Sequence, residues 1–357
     1  MTRNDATGQE ATLAPDVPVT TPSNVDELAE ILAAASREET PLGIWGSGSH
    51  RQIGHLPSVQ RVVSTAGLTG IVDWQPDDLT VVVRAGTPVA ELEAELAAGG
   101  QSAVLPEQSG AATVGGVVAT GISALARLRY GPTRDRMLQV QAVTGDGRIV
   151  QGGGRVVKNV SGYDLPRLYT GSLGSLGVIT EVCFKLWPVP PAACTVEVDD
   201  VPPAGLVYRP RAVLQTQDGV RVLLSGTRAE IDDQASRLGG TVVEGLQYPE
   251  PLEGEVVWSV RVPPKRLAEA VDRLPHGSAF VAQHGVGEVS FAAPGSFDIM
   301  DLRTWAESEG GSVVKMAGES SQDPWGSPPP DLDLQRRVIA AFDPCRILEP
   351  GRLPGGL

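Results

Sequence analysis

Between Gly154 and Val182 the chain reads GRVVKNVSGYDLPRLYTGSLGSLGVITEV, which combines polar side chains with regularly spaced glycines. The polar side chains are Lys158, Asn159, Ser161, Tyr163 and Asp164. The glycines that follow are Gly171, Gly174 and Gly177. Because glycine has no side chain, such a run lets the backbone approach a phosphate or a flat ring closely. The segment therefore predicts contact with a ligand of that kind, beside a polar cluster that either acts on it or frames it.

Two further segments are rich in glycine, WGSGSHRQIG (Trp45–Gly54) and ATVGGVVATG (Ala112–Gly121). The first matches neither G-x-x-x-x-G-K-[ST] nor G-x-G-x-x-G, which argues against a P-loop or a Rossmann site. It is either an anion-binding turn of backbone N–H groups or a surface loop without a ligand. In the second, Thr113, Gly115 and Gly116 open a short helix with free N–H groups and bare backbone for a pyrophosphate, or pack tightly on a neighbour. Three such elements in one region favour a bound ligand.

The composition of the 357 residues narrows the possible functions. A net charge of -14 disfavours broad contacts with nucleic acid or anionic lipid. No apolar run is long enough to predict a membrane span, and the polar N-terminus lacks the apolar core of a secretory signal. These features predict a cytoplasmic protein with a loose N-terminal tail, no direct membrane span and no nucleic-acid partner.

Metal and cluster ligands are scarce in the sequence. The cysteines, without C-x-x-C spacing, are Cys183, Cys194 and Cys345. This pattern predicts reduced thiols instead of an iron–sulfur cluster, structural zinc or disulfides. The histidines are His50, His55, His276 and His284. A metal site would need carboxylates that the pattern does not supply, so we expect no metal.

An arginine cluster is compatible with two interpretations. Its members are Arg127, Arg129, Arg134 and Arg136. They form either an anion site or a solvated, ion-paired face, and the sequence favours neither.

The secondary-structure pattern divides the chain near PVPPAA, at residues 188–193. Before this point we expect a helix capped by Ser23, several short strands, a helix closed by Gly99–Gly100 and a hairpin around Gly145–Gly147. Beyond it the predicted strands lie near Ala212–Gln215, Arg221–Ser225, Val256–Val262 and Val286–Ala292. The predicted helices there are Arg228–Leu238, Pro264–Leu274 and Phe297–Glu309. A sheet with helices on one side is expected, followed by a last helix and tail.

Five motifs in one order resemble the FAD-binding proteins of the vanillyl-alcohol-oxidase or PCMH type. They are GIWGSGS, ATVGGVVATG, YGPTRDRMLQVQAVTGDG, the stretch from Gly153 to Val182, and the terminal FDPCRILEPGRL. The resemblance implies an α+β fold: a PCMH-type FAD-binding domain of two α+β subdomains and a smaller antiparallel α+β second domain. The implied ranges are a tail at 1–19, the FAD domain at 20–189, the second domain at 190–330 and a returning C-terminal helix and tail at 331–357.

The resemblance also implies FAD as cofactor and assigns residues to it. They are Gly46, Ser47, Gly48, Ser49, His50, Pro106, Thr113, Gly115, Gly116, Thr120, Lys158, Gly177, Val178 and Ile179. Some relatives tether the flavin through a histidine in the first loop. Ser49 stands at the tether position and His50 one residue beyond it, so we expect non-covalent FAD. Lys158 either faces the flavin ring or stabilises its loop.

Within the family, the short chain and Leu173, where catalytic D-subunits usually carry Glu, are most similar to the E-subunit of glycolate oxidase. This implies a small 2-hydroxy acid such as glycolate or D-lactate as substrate, and a D-type flavoprotein and an iron–sulfur subunit as partners. The motif AQHGVGEVSF, with His284, only partly matches the metal and substrate motif of D-subunits, and the catalytic base stays unassigned. A stand-alone FAD-linked oxidase of an alcohol, sugar or hydroxy acid and an FAD-carrying structural subunit remain alternatives.

Overall fold

The computed structural model describes residues 17–106, 111–155 and 162–357, so Lys158, Asn159 and Ser161 lie outside the described residues. The strands of the first region (residues 17–189) are β1 (Val19–Thr20), β2 (Leu42–Trp45), β3 (Arg61–Ser64), β4 (Ile71–Gln75), β5 (Thr80–Arg84), β6 (Gln101–Ser102), β7 (Met137–Val143), β8 (Ile149–Gly153), β9 (Val178–Lys185) and β10 (Trp187–Pro188). Its helices are α1 (Val25–Arg37), α2 (Val89–Ala98), α3 (Val114–Thr120), α4 (Arg127–Tyr130) and α5 (Leu165–Tyr169).

A three-stranded parallel sheet, in the order β1–β3–β2, opens the first region. Helix α1 packs on it through the fully buried Leu28 and Leu32. The N-cap of α1 is Asn24, whose side chain accepts from the Glu27 N–H at 2.9 Å. Ser23 instead donates its N–H and hydroxyl to the Glu27 carboxylate. The predicted cap is therefore wrong by one residue, because adjacent serine and asparagine are equally suited to that position.

The rest of the first region is built on a five-stranded antiparallel sheet, in the order β4–β5–β9–β7–β8. Helices α2, α3 and α5 pack on it around a core that includes Leu92, Val117, Tyr169 and Phe184. The predicted hairpin is confirmed as β7 and β8, and the helix predicted to begin near Thr113 is confirmed as α3. Two layered α+β subdomains thus meet along β9.

The second region (residues 190–330) contains one eight-stranded sheet with every neighbour pair antiparallel, in the order β14–β11–β13–β12–β16–β17–β15–β18. Its strands are β11 (Ala192–Val198), β12 (Ala212–Thr216), β13 (Gly219–Gly226), β14 (Thr241–Glu244), β15 (Val256–Arg261), β16 (Phe280–Gln283), β17 (Glu288–Ala293) and β18 (Ser312–Gly318). Its helices are α6 (Arg228–Leu238), α7 (Leu267–Asp272) and α8 (Met300–Ser308). Helix α9 (Leu332–Phe342) follows in the C-terminal segment (residues 331–357).

The α+β fold class is confirmed, but the second sheet has twice the predicted number of strands. The sequence prediction missed β11, β14, β16 and β18. Two of these, β14 and β18, are the edges of the sheet and pair with only one neighbour. Helix α6, in contrast, has the predicted bounds, because Thr227 forms a complete capping box with Glu230 and Gly239 ends the helix at a φ of 69°. The domain boundaries themselves stay a prediction.

Side chains of α4 join the two regions. Arg127 lies 3.2 Å from the carboxylate of Glu288, and Arg129 donates to the carbonyl and hydroxyl of Ser225. Leu128, between them, packs against the core formed by β11, β13 and α6. None of the helices over the described residues has the length and apolarity needed to cross a bilayer.

Candidate functional site

A cavity in the first region lies where its three-stranded and five-stranded sheets meet. Three segments line it: the glycine–serine loop after β2 (residues 46–51), the first turns of α3, and the start of β9. The other lining residues are Ile44, Trp45, Thr65, Leu173, Gly174 and Arg352. We call this space the central cavity. It brings together the three glycine-rich elements of the sequence.

The glycine–serine loop offers unengaged hydrogen-bond donors. Within the described residues, the backbone N–H groups of Ser47, Gly48, Ser49 and His50 donate to no acceptor. Gly48 has a φ of 80°, the left-handed conformation typical of turns whose N–H groups converge. Such a turn, with two serine hydroxyls beside it, suits an anion such as a pyrophosphate.

The start of α3 differs from the sequence prediction of free N–H groups. The Val114 N–H donates to Thr87 O at 2.9 Å, and the Gly115 N–H donates to Ala85 O at 2.7 Å. The Gly116 N–H donates to the Thr113 hydroxyl, the N-cap, at 3.3 Å. The prediction of free donors here is therefore wrong, because a neighbouring segment and the cap satisfy them. What α3 provides is a closely approachable backbone and the positive end of a short helix.

The two glycines of α3 have different neighbours. A Cβ atom on Gly115 would lie 2.7 Å from the Ala85 Cβ atom, so this glycine permits the close packing of α3 on the end of β5. A Cβ atom on Gly116 would have only the Thr113 hydroxyl nearby, at 3.2 Å. Gly116 is thus the position at which a side chain would enter open space in the central cavity.

Strand β9 begins at the cavity with its first two side chains turned to opposite cores. Val178 packs in the core between the parallel sheet and α1. Ile179 packs in the core of the five-stranded sheet. The turn before it passes through Gly171, Gly174 and Gly177, with φ angles of 82°, 85° and 150°. Because both side chains are buried, it is the backbone of this segment that is available to a flat ligand.

His50 is half-buried in the loop, and burial lowers the pKa of its imidazole below the usual value. Its Nδ1 atom lies 3.0 Å from the Ser49 hydroxyl. A neutral imidazole is therefore favoured at pH 7.

Two C-terminal residues that the sequence analysis did not single out belong to this site. Arg352 lines the central cavity, although it is only 5% exposed. Its guanidinium donates to the carbonyls of His50, Arg51 and Ile53. Glu349, 1% exposed, lies 3.0 Å from it and also accepts the Ile44 N–H at 2.6 Å. The signal was present in the terminal motif FDPCRILEPGRL, but nothing local to that motif indicates its partners.

The structure places most residues predicted to bind the cofactor along the central cavity. They are Gly46, Ser47, Gly48, Ser49, His50, Thr113, Gly115, Gly116, Thr120, Gly177, Val178 and Ile179. Pro106 is buried and is not among the lining residues, and Lys158 lies outside the described residues.

The arginine cluster is ion-paired and hydrogen-bonded. Besides the contacts of Arg127 and Arg129, Arg134 lies 3.8 Å from Asp135. Arg136 is 2% exposed and donates to the carbonyls of Ala103, Val104 and Gly131. These contacts favour the interpretation of the cluster as an ion-paired face over the interpretation as an anion site.

The second histidine of interest, His284, lies in the second region. Its Nε2 atom is 2.8 Å from the Gln215 side-chain oxygen, and burial lowers the pKa of the ring. Among the described residues, no group of three or more His, Cys, Asp or Glu side chains is arranged to hold a metal ion.

Comparison with known proteins assigns a family to the first region. Residues 18–153 match the family described as FAD binding domain. Glycolate oxidase subunit GlcE of Escherichia coli (strain K12) is 28% identical over 91% of this chain and 96% of its own length. D-lactate dehydrogenase of Archaeoglobus fulgidus and glycolate oxidase subunit GlcD of Bacillus subtilis are each 34% identical, over 48% and 52% of this chain. Those two matches span only 38% and 40% of the relatives' own lengths.

A solved structure of alkyldihydroxyacetonephosphate synthase has the same fold, with a TM-score of 0.64 over 93% of this chain and 75% of the other at 15% identity. The loop donors, the serine hydroxyls and the bare backbone at Gly116 fit the pyrophosphate of a dinucleotide, and the β9 backbone fits a flat ring. Residues 18–153 therefore belong to the FAD binding domain family, and the similar proteins indicate an FAD-dependent oxidoreductase.

Proposed function

We propose that this protein is the FAD-binding E-type subunit of a glycolate-oxidase-like complex that oxidises a small 2-hydroxy acid in the cytoplasm. The observation that carries the proposal is the end-to-end match with GlcE, which includes the second region as well as the FAD binding domain. The matches with D-lactate dehydrogenase of Archaeoglobus fulgidus and with GlcD cover about half of this chain. Similarity that extends through the second region favours the subunit over a general FAD-linked oxidase.

The central cavity is the proposed FAD site. The N–H groups of Ser47, Gly48, Ser49 and His50 would hold the pyrophosphate, and Gly116 would let it approach α3. The backbone of Val178 and Ile179 would lie against the flavin. A site of neutral amides suits an anionic cofactor in a protein of net charge -14, because it needs no surplus of surface cations.

When bound, FAD supplies the two-electron acceptor for conversion of a 2-hydroxy acid to a 2-oxo acid, a change that also releases one hydroxyl proton. The protein's own residues bind and orient the cofactor. A positioned base must take the proton, and such a group typically contributes about 10²–10⁴-fold to the rate. The imidazole of His284 lies against Gln215, and we propose that the base comes from a D-type partner. Electrons then leave through an iron–sulfur subunit, since three cysteines cannot supply the four thiolates of a common cluster.

The first test is whether the purified protein carries releasable FAD. We expect a yellow preparation whose flavin is released by acid or heat, because Ser49 occupies the tether position. The measurement is the visible spectrum before and after denaturation and removal of the protein. A colourless protein that does not take up added FAD would contradict the proposed site, while colour that stays on the denatured chain would contradict only non-covalent binding.

The second test addresses the complex. The isolated protein is mixed anaerobically with glycolate, D-lactate or L-lactate, and bleaching of the flavin band is followed with time. We expect slow or no bleaching alone and reduction after a D-type flavoprotein is added. Rapid bleaching without a partner would favour the stand-alone oxidase, and a flavin that no partner reduces would favour the structural subunit.

A further inference from the structure

The C-terminal segment returns to the beginning of the chain and extends the parallel sheet. The Leu42 N–H donates to Ile347 O at 2.7 Å, and the Glu349 N–H donates to Leu42 O at 2.9 Å. Leu42 and Leu348 form a parallel bridge. The last residues therefore lie beside β2, directly before the glycine–serine loop.

This return buries a charged pair. Glu349 has a φ of 46°, a left-handed conformation that is costly for a residue with a side chain. Its carboxylate accepts the Ile44 N–H and faces the Arg352 guanidinium, and both side chains are more than nine-tenths buried. An ion pair in such a place usually adds little net stability relative to apolar residues. Its position points to a role other than stability.

The guanidinium engages the loop from one side. Arg352 Nε lies 3.2 Å from Ile53 O, and Arg352 Nη2 lies 3.3 Å from both His50 O and Arg51 O. The carbonyl of Arg352 itself accepts the Trp325 indole N–H at 2.9 Å and the His55 N–H at 3.2 Å. The arginine is therefore fixed at both ends.

These contacts polarise the loop. Carbonyl oxygens carry partial negative charge and would repel a phosphate, but three of them are directed at a cation. The N–H groups of residues 47–50, in contrast, have no acceptor in the described part of the chain. A loop in which these N–H groups have no acceptor and the carbonyls of His50 and Arg51 face a cation presents a positive potential to an anion.

We propose that Arg352, oriented by Glu349, is a positioning residue that holds the glycine–serine loop in the conformation that binds the FAD pyrophosphate. The inference rests on the proposed location of FAD in the central cavity. Cofactor affinity would then depend on residues about 300 positions away from the loop in sequence.

The test compares Arg352→Met with a matched control, Arg303→Met. Arg303 is 3% exposed and donates to the carbonyls of Val313 and Asp323 in the second region, so both changes remove a buried guanidinium bound to backbone. The dissociation constant of FAD is measured by flavin fluorescence on flavin-free, full-length protein. We expect Arg352→Met to raise it at least about tenfold, Arg352→Lys to raise it less, and Arg303→Met to leave it within about twofold.

Gly116→Val separates failure of this inference from failure of the site. If Gly116→Val weakens FAD binding but Arg352→Met does not, the positioning role is wrong and the site stands. If neither weakens it, the site itself is misplaced. Equal weakening by Arg352→Met and Arg303→Met would show general destabilisation and overturn the inference.

If Arg352→Met does not fold, the variant Glu349→Gln tests the positioning role of Arg352 instead. Glutamine can still accept the Ile44 N–H but cannot pair with the guanidinium. We expect a rise of about threefold or more in the FAD dissociation constant relative to Arg303→Met, and no rise would overturn the inference.

Discussion

One buried arginine lies in the second region and another in the C-terminal segment, and their contacts differ. In the second region, Arg303 donates to the carbonyls of Val313 and Asp323, within twenty residues in sequence, and stacks over Trp258 at 5.5 Å. Arg352, in the C-terminal segment, donates to carbonyls of the first region about 300 residues away and pairs with a buried carboxylate. The contacts of Arg303 link α8 to strand β18 and to the segment at Asp323. Those of Arg352 reach across the chain to a loop that lines the central cavity.

The strongest expected effect separates stability from cofactor binding. Phe291→Ala removes a fully buried ring that packs on Phe297 in the second region, at a centroid distance of 6.0 Å. We expect a loss of about 3–5 kcal/mol in the free energy of unfolding, measured by urea denaturation. The FAD dissociation constant should stay unchanged at temperatures where the variant is folded. A parallel loss of FAD binding would show that the two regions do not act separately.

The second prediction concerns a substitution in the central cavity instead of the core of the second region. Gly116→Val introduces a branched side chain into the central cavity, and we expect it to weaken FAD binding by about 1–3 kcal/mol. The melting temperature of the flavin-free protein should change little. Gly115→Val is the contrasting variant: its side chain would meet Ala85, so the flavin-free protein itself should be destabilised. Identical behaviour of the two variants would contradict the different roles assigned to these glycines.

Two threonine N-caps allow a matched comparison between the regions. Thr113 caps α3 at the cavity and Thr227 caps α6 in the second region, each through a bond of 3.3 Å to a backbone N–H. Replacing either with alanine should cost about 1 kcal/mol of stability. Only Thr113→Ala should also weaken FAD binding, since its hydroxyl orders the turn that carries Gly116. Weaker FAD binding in Thr227→Ala, measured by the same fluorescence titration, would remove the distinction.

The smallest effect concerns pH. Burial raises the pKa of Glu349 above its usual range, and the nearby Arg352 offsets this only in part. The folded state then binds more protons than the unfolded state, so the free energy of unfolding falls as pH rises from about 4.3 through the folded pKa. Glu349→Gln should lack this decline. The measurement is urea denaturation of both proteins from pH 4 to 8, and parallel curves would contradict the assignment.

Subtraction of the two curves isolates the contribution of Glu349. Asp343 is also buried with a raised pKa and is present in both proteins, so its contribution cancels. The same holds for His50, whose lowered pKa works in the opposite direction.

Local signals were sufficient for some elements and not for others. Helix α6 was predicted at its observed bounds because Thr227, Glu230 and Gly239 mark both ends. Edge strand β14 has only four residues, of which three are exposed, so neither its length nor its alternation separates it from a loop. Strand β18 is defined by pairing with β15, about fifty residues earlier. The residues of β18 alone do not indicate this partner.

The same limit applies to the site. Glycine spacing located the loop, the start of α3 and the start of β9, because a glycine is visible in the sequence even where its packing partner, such as Ala85 at Gly115, lies in another segment. The prediction that the first N–H groups of α3 are free was wrong, because their acceptors, the carbonyls of Ala85 and Thr87, come from another part of the chain. Arg352 was missed for a similar reason: an arginine in a terminal motif gives no indication of which carbonyls it will meet.

The pairing of Leu42 with residues 347–349 has a consequence for synthesis of the protein. Translation runs from the N-terminus, so the loop emerges from the ribosome long before the residues that brace it. At about 5–20 residues per second, the roughly 300 residues between Arg51 and Arg352 take on the order of 15–60 s to make. During that time the nascent parallel sheet has an open edge beside β2. The sheet closes only after residues 347–349 have been synthesised, and the loop reaches its braced conformation at that late stage.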